Sequence, residues 1–448
     1  MSESDDIIKI SETAERPAVH ERRRKLPMRT NIPLMLMMFV MVVFGLVILY
    51  SVSGPSAYSE FGDSAYYLKR QMIYTVIGIG LALFLNFMRI NILSNRLFVF
   101  GAYMLALGFA AATLVFGYEF NGARRWIQIG SNHIQATEAV KVLLIFAYAG
   151  YRKILLEARA KGKIKPREGK WAQRFHDAFL DFILPVTLAL VVDMLIIVEP
   201  HFSCFIIVAL VIIIETLSAG IHIRSWLIGI GVYLIIGIAF VLGFVVFAPQ
   251  TAKDKATNYV KTNFAHVFKR FDMFGLDIGV DEEENEITKD DTRQIDNAFK
   301  ALGSGGMWGS GLGNSRSKYN YIAEAQNDYI FSVYIEETGF VGGTVFLLLY
   351  ASAFGMCMVV VWRAKEIYTR MIATGCTALI FVETALNISV ELQILPSTGI
   401  TLPFMSYGGT AQLFLLVAFG LILCVSRTGT NPPADEMKKR KKVKPYGL

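Results

Sequence analysis

Residues 301–362 read ALGSGGMWGSGLGNSRSKYNYIAEAQNDYIFSVYIEETGFVGGTVFLLLYASAFGMCMVVVW, a glycine-rich polar segment that passes directly into an apolar one. The apolar part, residues 329–362, exceeds the ~20 residues needed to cross ~30 Å of hydrocarbon, and it reads as a membrane span. The polar part holds Gly303, Gly305, Gly306, Gly309, Gly311 and Gly313, and Gly339 follows inside the span. Glycines permit positive φ and close backbone approach, which polar ligands and tight re-entrant turns both need. Asp328 stands at the foot of the apolar run. A carboxylate at that depth is expensive unless it is hydrated, paired or used, so it is a functional candidate. A solvated acid beside a helix N-terminus is the plainer alternative.

Outward from this stretch the pattern repeats. Of the 448 residues, 54% are hydrophobic and 18% charged, and the mean hydropathy is +0.45. That is too apolar for a soluble globular chain of this length. Apolar runs occur at 32–52, 70–88, 97–117, 136–151, 179–198, 202–219, 225–248, 329–362, 371–390 and 404–426, which makes ten spans. The fourth is short, and residues 179–219 are divided only by Glu199-Pro200-His201. The expected fold is an all-α polytopic membrane protein of about ten transmembrane helices, with a large extracellular loop between helices 7 and 8. Residues 1–31 form a cytoplasmic tail, 32–427 a single membrane domain with its extracellular loop at 249–328, and 428–448 a basic cytoplasmic tail. The first run follows basic residues but is too long for a signal-peptide core, so it stays as an anchor. All four cysteines (Cys204, Cys357, Cys376, Cys424) fall inside spans, which suggests neither a disulfide framework nor a thiolate metal site.

Basic residues orient the chain. Arg22-Arg23-Arg24-Lys25 and Arg29 place the amino terminus in the cytoplasm. Counting spans then puts the loops at 89–96, 152–176 (nine Lys/Arg), 220–224 and 363–370, and the tail with Lys438-Lys439-Arg440-Lys441-Lys442, on the same side. The net charge of +7 is the sum of these local biases rather than a nucleic-acid footprint. The acidic run Asp281-Glu282-Glu283-Glu284 falls outside and lacks the spaced ligands and glycine of a calcium loop.

Two further stretches carry polar signals in apolar surroundings. Phe120-Asn121-Gly122-Ala123-Arg124-Arg125-Trp126-Ile127 precedes a span that opens Gln135-Ala136-Thr137-Glu138-Ala139-Val140-Lys141. Glu138 and Lys141 are three apart, share a helix face and can pair, which lowers the cost of both charges. Arg124 and Arg125 supply planar donors suited to phosphate oxygens. Glu383 and Asn387 lie in the ninth span, and the loop after it reads Leu395-Pro396-Ser397-Thr398-Gly399-Ile400-Thr401-Leu402-Pro403-Phe404-Met405-Ser406-Tyr407-Gly408-Gly409. Irregular backbone at membrane depth persists only when buried in protein or lining a wet cavity, so this loop is expected to form a cavity wall.

Taken in order, NGARRWI, Q-x-x-E-x-x-K, GSGG-x-x-G-x-GLG-x-S, E-x-x-x-D-[FY]-IF-x-x-x-EE-x-G and LP-x-TGI-x-LPF-x-SYGG resemble the SEDS family of shape, elongation, division and sporulation proteins, which includes FtsW, RodA and SpoVE. The resemblance covers residues 32–427 or nearly so. It implies a peptidoglycan glycosyltransferase that polymerises lipid II at the outer face of the cytoplasmic membrane, for division, elongation or sporulation. It places the motif carboxylate on Asp328 and the family's span-four pair on Glu138 and Lys141. With Arg124, Arg125, Ser406, Gly408 and Gly409, these two form the expected substrate-binding set. A class B penicillin-binding protein is the implied partner. No tightly bound cofactor is expected, with a divalent cation assisting at the diphosphate and no dedicated carboxylate cage for it. The chain departs from the family at Ala323, where a proline is usual, at Glu199-Pro200-His201-Phe202-Ser203, at Asn297-Ala298, and in an acidic insertion at 280–292.

Strand growth requires a sugar hydroxyl to attack an anomeric carbon whose leaving group is a lipid diphosphate. A carboxylate that takes the proton, cations that hold the diphosphate and an apolar groove for polyprenyl tails suffice. The activated leaving group removes any need for ATP, and no G-x-x-x-x-G-K-[ST] motif occurs. A transporter of lipid-linked precursors and a non-catalytic scaffold of a wall-synthesis complex are the competing readings.

Overall fold

The computed structural model describes residues 30–88, 90–120, 123–129, 132–199, 201–251, 253, 285–319, 325–395 and 399–428. Both basic tails, the acidic run at 281–284, Asn121-Gly122, Pro200, Ala323, Glu324 and Pro396-Ser397-Thr398 lie outside the described residues, as do the side chains of Arg124 and Arg125.

Ten helices correspond to the ten apolar runs. They are α1 Ile32–Phe61, α2 Tyr66–Phe87, α3 Arg96–Phe116, α4 Ala136–Ala160, α5 Lys170–Val198, α6 Phe202–Ser218, α7 Ile223–Phe247, and, after an amphipathic α8 at Asn285–Ser304, α9 Ile330–Arg363, α10 Ile367–Glu391 and α11 Gly409–Thr428. Eight of these, all but α4, α6 and the amphipathic α8, are long and apolar enough to cross a membrane. The exceptions have physical causes. Helix α4 carries Glu138, Lys141, Arg152 and Arg159, whereas α6 is apolar but only 17 residues long. Both pack against α10 in the interior, so neither has to present an apolar surface all round. Helix α4 also extends nine residues past the apolar run that marks it, to Ala160, because the charges of its last turns find partners.

Local signals explain the ends. Asn31 accepts a hydrogen bond from the Leu34 N–H (3.2 Å) and Pro33 occupies the first turn of α1, while Gly62 closes that helix at φ 70°. Helix α5 contains a π-helical turn at Phe179–Ile183. Its Asp181 pairs with Arg152, and Arg159 reaches both Asp181 (2.8 Å) and Asp177 (3.0 Å). Thus part of the basic 152–176 segment is neutralised from within.

Helix α10 is the hub, in contact with α4, α6, α9 and α11. Helix α11 lies along α2, and there a Cβ on Gly420 would run into the backbone of Ala82, and one on Gly78 into Leu416. Small residues at such crossings let backbones approach where apolar burial gives no driving force. Helix α7, by contrast, is apolar all round and its most apolar window is only 6% buried. A helix of that kind exposed to solvent would be untenable; exposed to lipid it is ordinary. The protein is a multi-pass membrane protein.

One element falls outside the all-α expectation. Residues between α3 and α4 form a small antiparallel sheet of β1 Tyr118–Phe120, β2 Ala123–Ile129 and β3 Asn132–Ile134. Its register pairs Glu119 with Arg124 and Gln128 with His133. Residues 285–292, read from sequence within a solvated acidic insertion, are the opening turns of α8. The four cysteines are free and buried.

Candidate active site

Three segments meet at the N-terminal end of α9: the turn 325–329, the irregular stretch 399–408 and the C-terminal end of α10. The irregular stretch is buried in protein at Leu402, Pro403, Phe404, Met405 and Ser406, with Phe404 at φ 65°. Several of its polar groups have partners from neighbouring segments. Ser406 Oγ accepts from the Leu402 N–H (2.8 Å), Tyr407 N–H donates to the Gln326 carbonyl (2.8 Å), and Gly408 N–H donates to Gln71 Oε1 (3.2 Å). Gln71 in turn donates to the Ser406 carbonyl (3.3 Å), Tyr350 OH donates to the Pro403 carbonyl, and Asn387 Nδ2 donates to the Ile400 carbonyl (2.7 Å). Ser406 and Gly408 therefore hold this loop in shape. Gly409 sits so close to the Tyr74 ring that a Cβ would collide with it.

Asp328 lies in the turn that this loop grips. Its carbonyl accepts from Asn387 Nδ2 (3.2 Å), it stands two residues from the Gln326–Tyr407 bond, and it is half-buried. A Cβ placed on Gly399 would touch Asp328 Oδ2 at 3.5 Å, so the carboxylate faces the start of the irregular stretch.

Three further carboxylates at this end, Glu391, Glu336 and Glu337, are buried. Glu391 accepts from the Ser332 N–H (2.6 Å), the Ser332 hydroxyl (2.6 Å) and the Phe331 N–H (3.3 Å), so it caps α9 from the end of a neighbouring helix. Glu336 accepts from Ser315 Oγ (2.5 Å), Arg316 N–H (3.0 Å) and Ser317 N–H (3.3 Å). Glu337 takes the Lys318 ammonium at 2.8 Å and the Ser51 hydroxyl at 2.6 Å. Lys318 and Glu337 are both buried, so their pairing is obligatory.

The glycines have a definite task here. Gly339, at φ 68° and ψ −165°, breaks α9, and the 305–313 segment lies against the break. Ser310 N–H donates to the Glu336 carbonyl (3.0 Å), Gly311 N–H to Glu337 (2.9 Å), and Phe340 N–H to Gly306 (2.9 Å). Gly309 and Gly339 approach so closely that a Cβ on either would meet the other segment's backbone. Residues 305–319 thereby form a strap, exposed along most of its length and anchored at the buried Gly305, Ser315 and Lys318, that is tied to α9 and, through Ser51, to α1.

Deeper in the bundle, Lys141 lies 2.8 Å from Glu138, as their spacing predicts, and also pairs with Glu383 of α10. All three are buried. One ammonium serves two carboxylates, meeting both oxygens of Glu138 and one of Glu383. Glu383, Asn387 and Glu391 are four apart in turn, so one polar stripe on α10 carries the triad, the tie to Asp328 and the cap of α9, over about 12 Å of helix. Arg124 and Arg125 are on β2, which packs against α3 and α4, next to the helix that bears the triad. Among the described residues no group of three or more His, Cys, Asp and Glu side chains could hold a metal ion.

Sequence reasoning singled out Asp328, Glu138, Lys141, Glu383 and Asn387 and missed Lys318, Gln71, Ser51 and Glu391. Glu391 had a signal, the third place in the 383, 387, 391 spacing. The partners of Lys318 and Gln71 come from distant segments and had none.

Comparison with known proteins gives a consistent result. The family model for FtsW, RodA and SpoVE, described as cell cycle protein, matches residues 32–431. The chain is 28% identical over 398 residues to stage V sporulation protein E of Bacillus subtilis, covering 88% of this chain and 96% of that one. It is also 28% identical over 430 residues to a probable peptidoglycan glycosyltransferase FtsW of Neisseria gonorrhoeae, covering 91% and 86%. Among solved structures, the rod shape determining protein RodA of Thermus thermophilus matches with a TM-score of 0.58 at 23% identity, over 90% of this chain and 98% of that one. A chain from a peptidoglycan synthase complex that coordinates polymerization and crosslinking matches at 0.63 with 22% identity, over 89% and 98%. At that identity these structures speak for the fold.

Proposed function

This chain belongs to the FtsW/RodA/SpoVE family of cell cycle proteins, and from that premise we propose that it is a peptidoglycan glycosyltransferase that polymerises lipid II into glycan strands. One observation carries the assignment of the base. Asp328 is half-buried in the turn before α9 with its carboxylate facing the start of the irregular stretch, whereas the side chains of Glu336, Glu337 and Glu391 are buried. In the proposed step a sugar hydroxyl attacks the anomeric carbon of the second sugar. The new C–O bond forms as the bond to the lipid diphosphate breaks, and the hydroxyl proton passes to Asp328.

Arg124 and Arg125 are the proposed diphosphate contacts, joined by Lys141, with Glu138 holding that lysine in place. Ser406, Gly408 and Gly409 complete the binding set by shaping the loop against which the sugars rest. No resident cofactor is assigned, and a divalent cation would travel with the diphosphate. The proposal includes an orientation with both tails in the cytoplasm and Asp328 at the outer face, and a class B penicillin-binding protein as the crosslinking partner.

Purified protein supplied with lipid II, with and without that transpeptidase, tests the reading. Wild type is expected to yield polymer, and Asp328→Asn to reduce the rate on the order of a hundredfold to ten-thousandfold while leaving the protein folded. Translocated but unpolymerised lipid would favour the transporter, and neither outcome the scaffold. Near-normal polymer from Asp328→Asn would remove Asp328 as the base.

A further inference from the structure

The turn between α1 and α2 carries a set of aromatic side chains that the chemistry above does not use. Phe61 and Tyr66 stack with ring centroids 3.8 Å apart and planes 12° from parallel. Tyr67 stands edge-on to both, at 5.9 Å from Phe61 and 5.5 Å from Tyr66. Tyr67 then meets Tyr407 at 4.8 Å, and Tyr407 is the residue whose N–H is bonded to Gln326, two positions before Asp328. The rings form a continuous ladder that leads from the reacting end of the bundle to the surface.

The ladder is neither core nor plain apolar surface. Phe61 is 41% exposed and the neighbouring Tyr58 67%, whereas rings that serve only to fill a core lose their solvent contact. Polar groups are placed along it. The Arg70 guanidinium lies 4.9 Å from the centroid of Tyr66, and Tyr67 OH donates to Glu60 (3.2 Å). Lys69 and Asp63 pair at 2.6 Å beside it. Ring surface left exposed on Phe61 and in part on Tyr67 and Tyr407, flanked by charged donors and acceptors, suits a ligand with apolar C–H faces and a rim of hydroxyls, which describes a sugar ring.

We infer that Phe61, Tyr66, Tyr67 and Tyr407 form a platform on which the carbohydrate of the growing strand rests after each addition, with Arg70 and Glu60 bonding its hydroxyls. The inference rests on the proposed polymerase activity, which requires the product to leave Asp328 as an extended chain. A ladder that starts two residues from the base gives that chain a track, and a retained product is what allows successive additions without release.

The test compares strand length at matched lipid II consumption, together with direct binding of lipid-free glycan strands of defined length to the full-length protein in detergent. Tyr67→Leu keeps an apolar side chain at the membrane edge but removes the π face; Tyr67→Phe keeps the face. The platform requires shorter strands and about threefold to tenfold weaker strand binding for Tyr67→Leu, with Tyr67→Phe close to wild type. A Phe61→Leu and Tyr67→Leu double variant should lose more than either single. Should the Leu variants match wild type in both assays, the rings merely anchor the membrane edge and the platform is refuted. If the wild type makes no polymer, the proposed activity fails, and strand binding alone still decides the platform.

Discussion

Neutralising Glu138 and Lys141 together is expected to be nearly as damaging as neutralising Lys141 alone. From spacing, the two look like a self-contained ion pair, and removal of both should spare the protein. The structure adds Glu383, so the double variant Glu138→Gln, Lys141→Met leaves a buried carboxylate with no cation. A contact of 2.8 Å between unit charges is worth about 6 kcal/mol at an effective dielectric of ~20, most of it offset by desolvation. Stripping the partner from a buried charge costs about 3–5 kcal/mol net, whereas replacing a complete buried charge set by neutral groups is often close to neutral. The expected order of stability therefore places Glu383→Gln and the triple neutral variant near wild type, and Lys141→Met and the double variant well below. Thermal unfolding of the detergent-purified variants, with monodispersity before heating as a control, reads this order. A double variant as stable as wild type would refute the triad as an energetic unit, and an unstable Glu383→Gln would show that Glu138 alone cannot satisfy Lys141.

Gly309→Ala and Gly339→Ala should each cost at least about 1–3 kcal/mol from positive φ alone, and more from collision of the strap with α9, seen as loss of folded protein on purification. Glu391→Ala should lower both stability and polymerisation by uncapping α9 beside Asp328, whereas Glu391→Gln, which still accepts hydrogen bonds, should recover most of the stability. Equal behaviour of the two would show that the cap is idle. Lys318→Met should destabilise by about 3–5 kcal/mol because Glu337 is left buried, and Lys318→Met with Glu337→Gln should recover part of it in the same melts. A cysteine introduced at 285 should react with an impermeant thiol reagent on intact cells and one at 165 should not, and the reverse pattern would invert the proposed orientation.

The membrane class, the apolar helices and the polar motifs were legible in the chain because each depends on local composition. An apolar run of about 20 residues has few alternatives to a helix in lipid, and three-residue spacing alone brings Glu138 to Lys141. The sheet at 118–134 was legible in principle, since Asn121-Gly122 is an ordinary hairpin signal, but it lies between helices whose apolar pattern dominates the reading. The glycines at 305–313 look from sequence like a ligand loop, and what they do in the structure is let two backbones touch at Gly309 and Gly339. That role belongs to tertiary structure, because close approach needs both partners and only one is visible at a time along the chain. The same holds for the carboxylates. Glu336, Glu337 and Glu391 are chemically alike as residues in a sequence. They are told apart by which donors the fold brings within 3.3 Å of them, Ser315 and Arg316 for one, Lys318 and Ser51 for another, the N-terminus of α9 for a third. Those donors come from 19 to 286 positions away, a separation over which only the packing of helices decides what meets what.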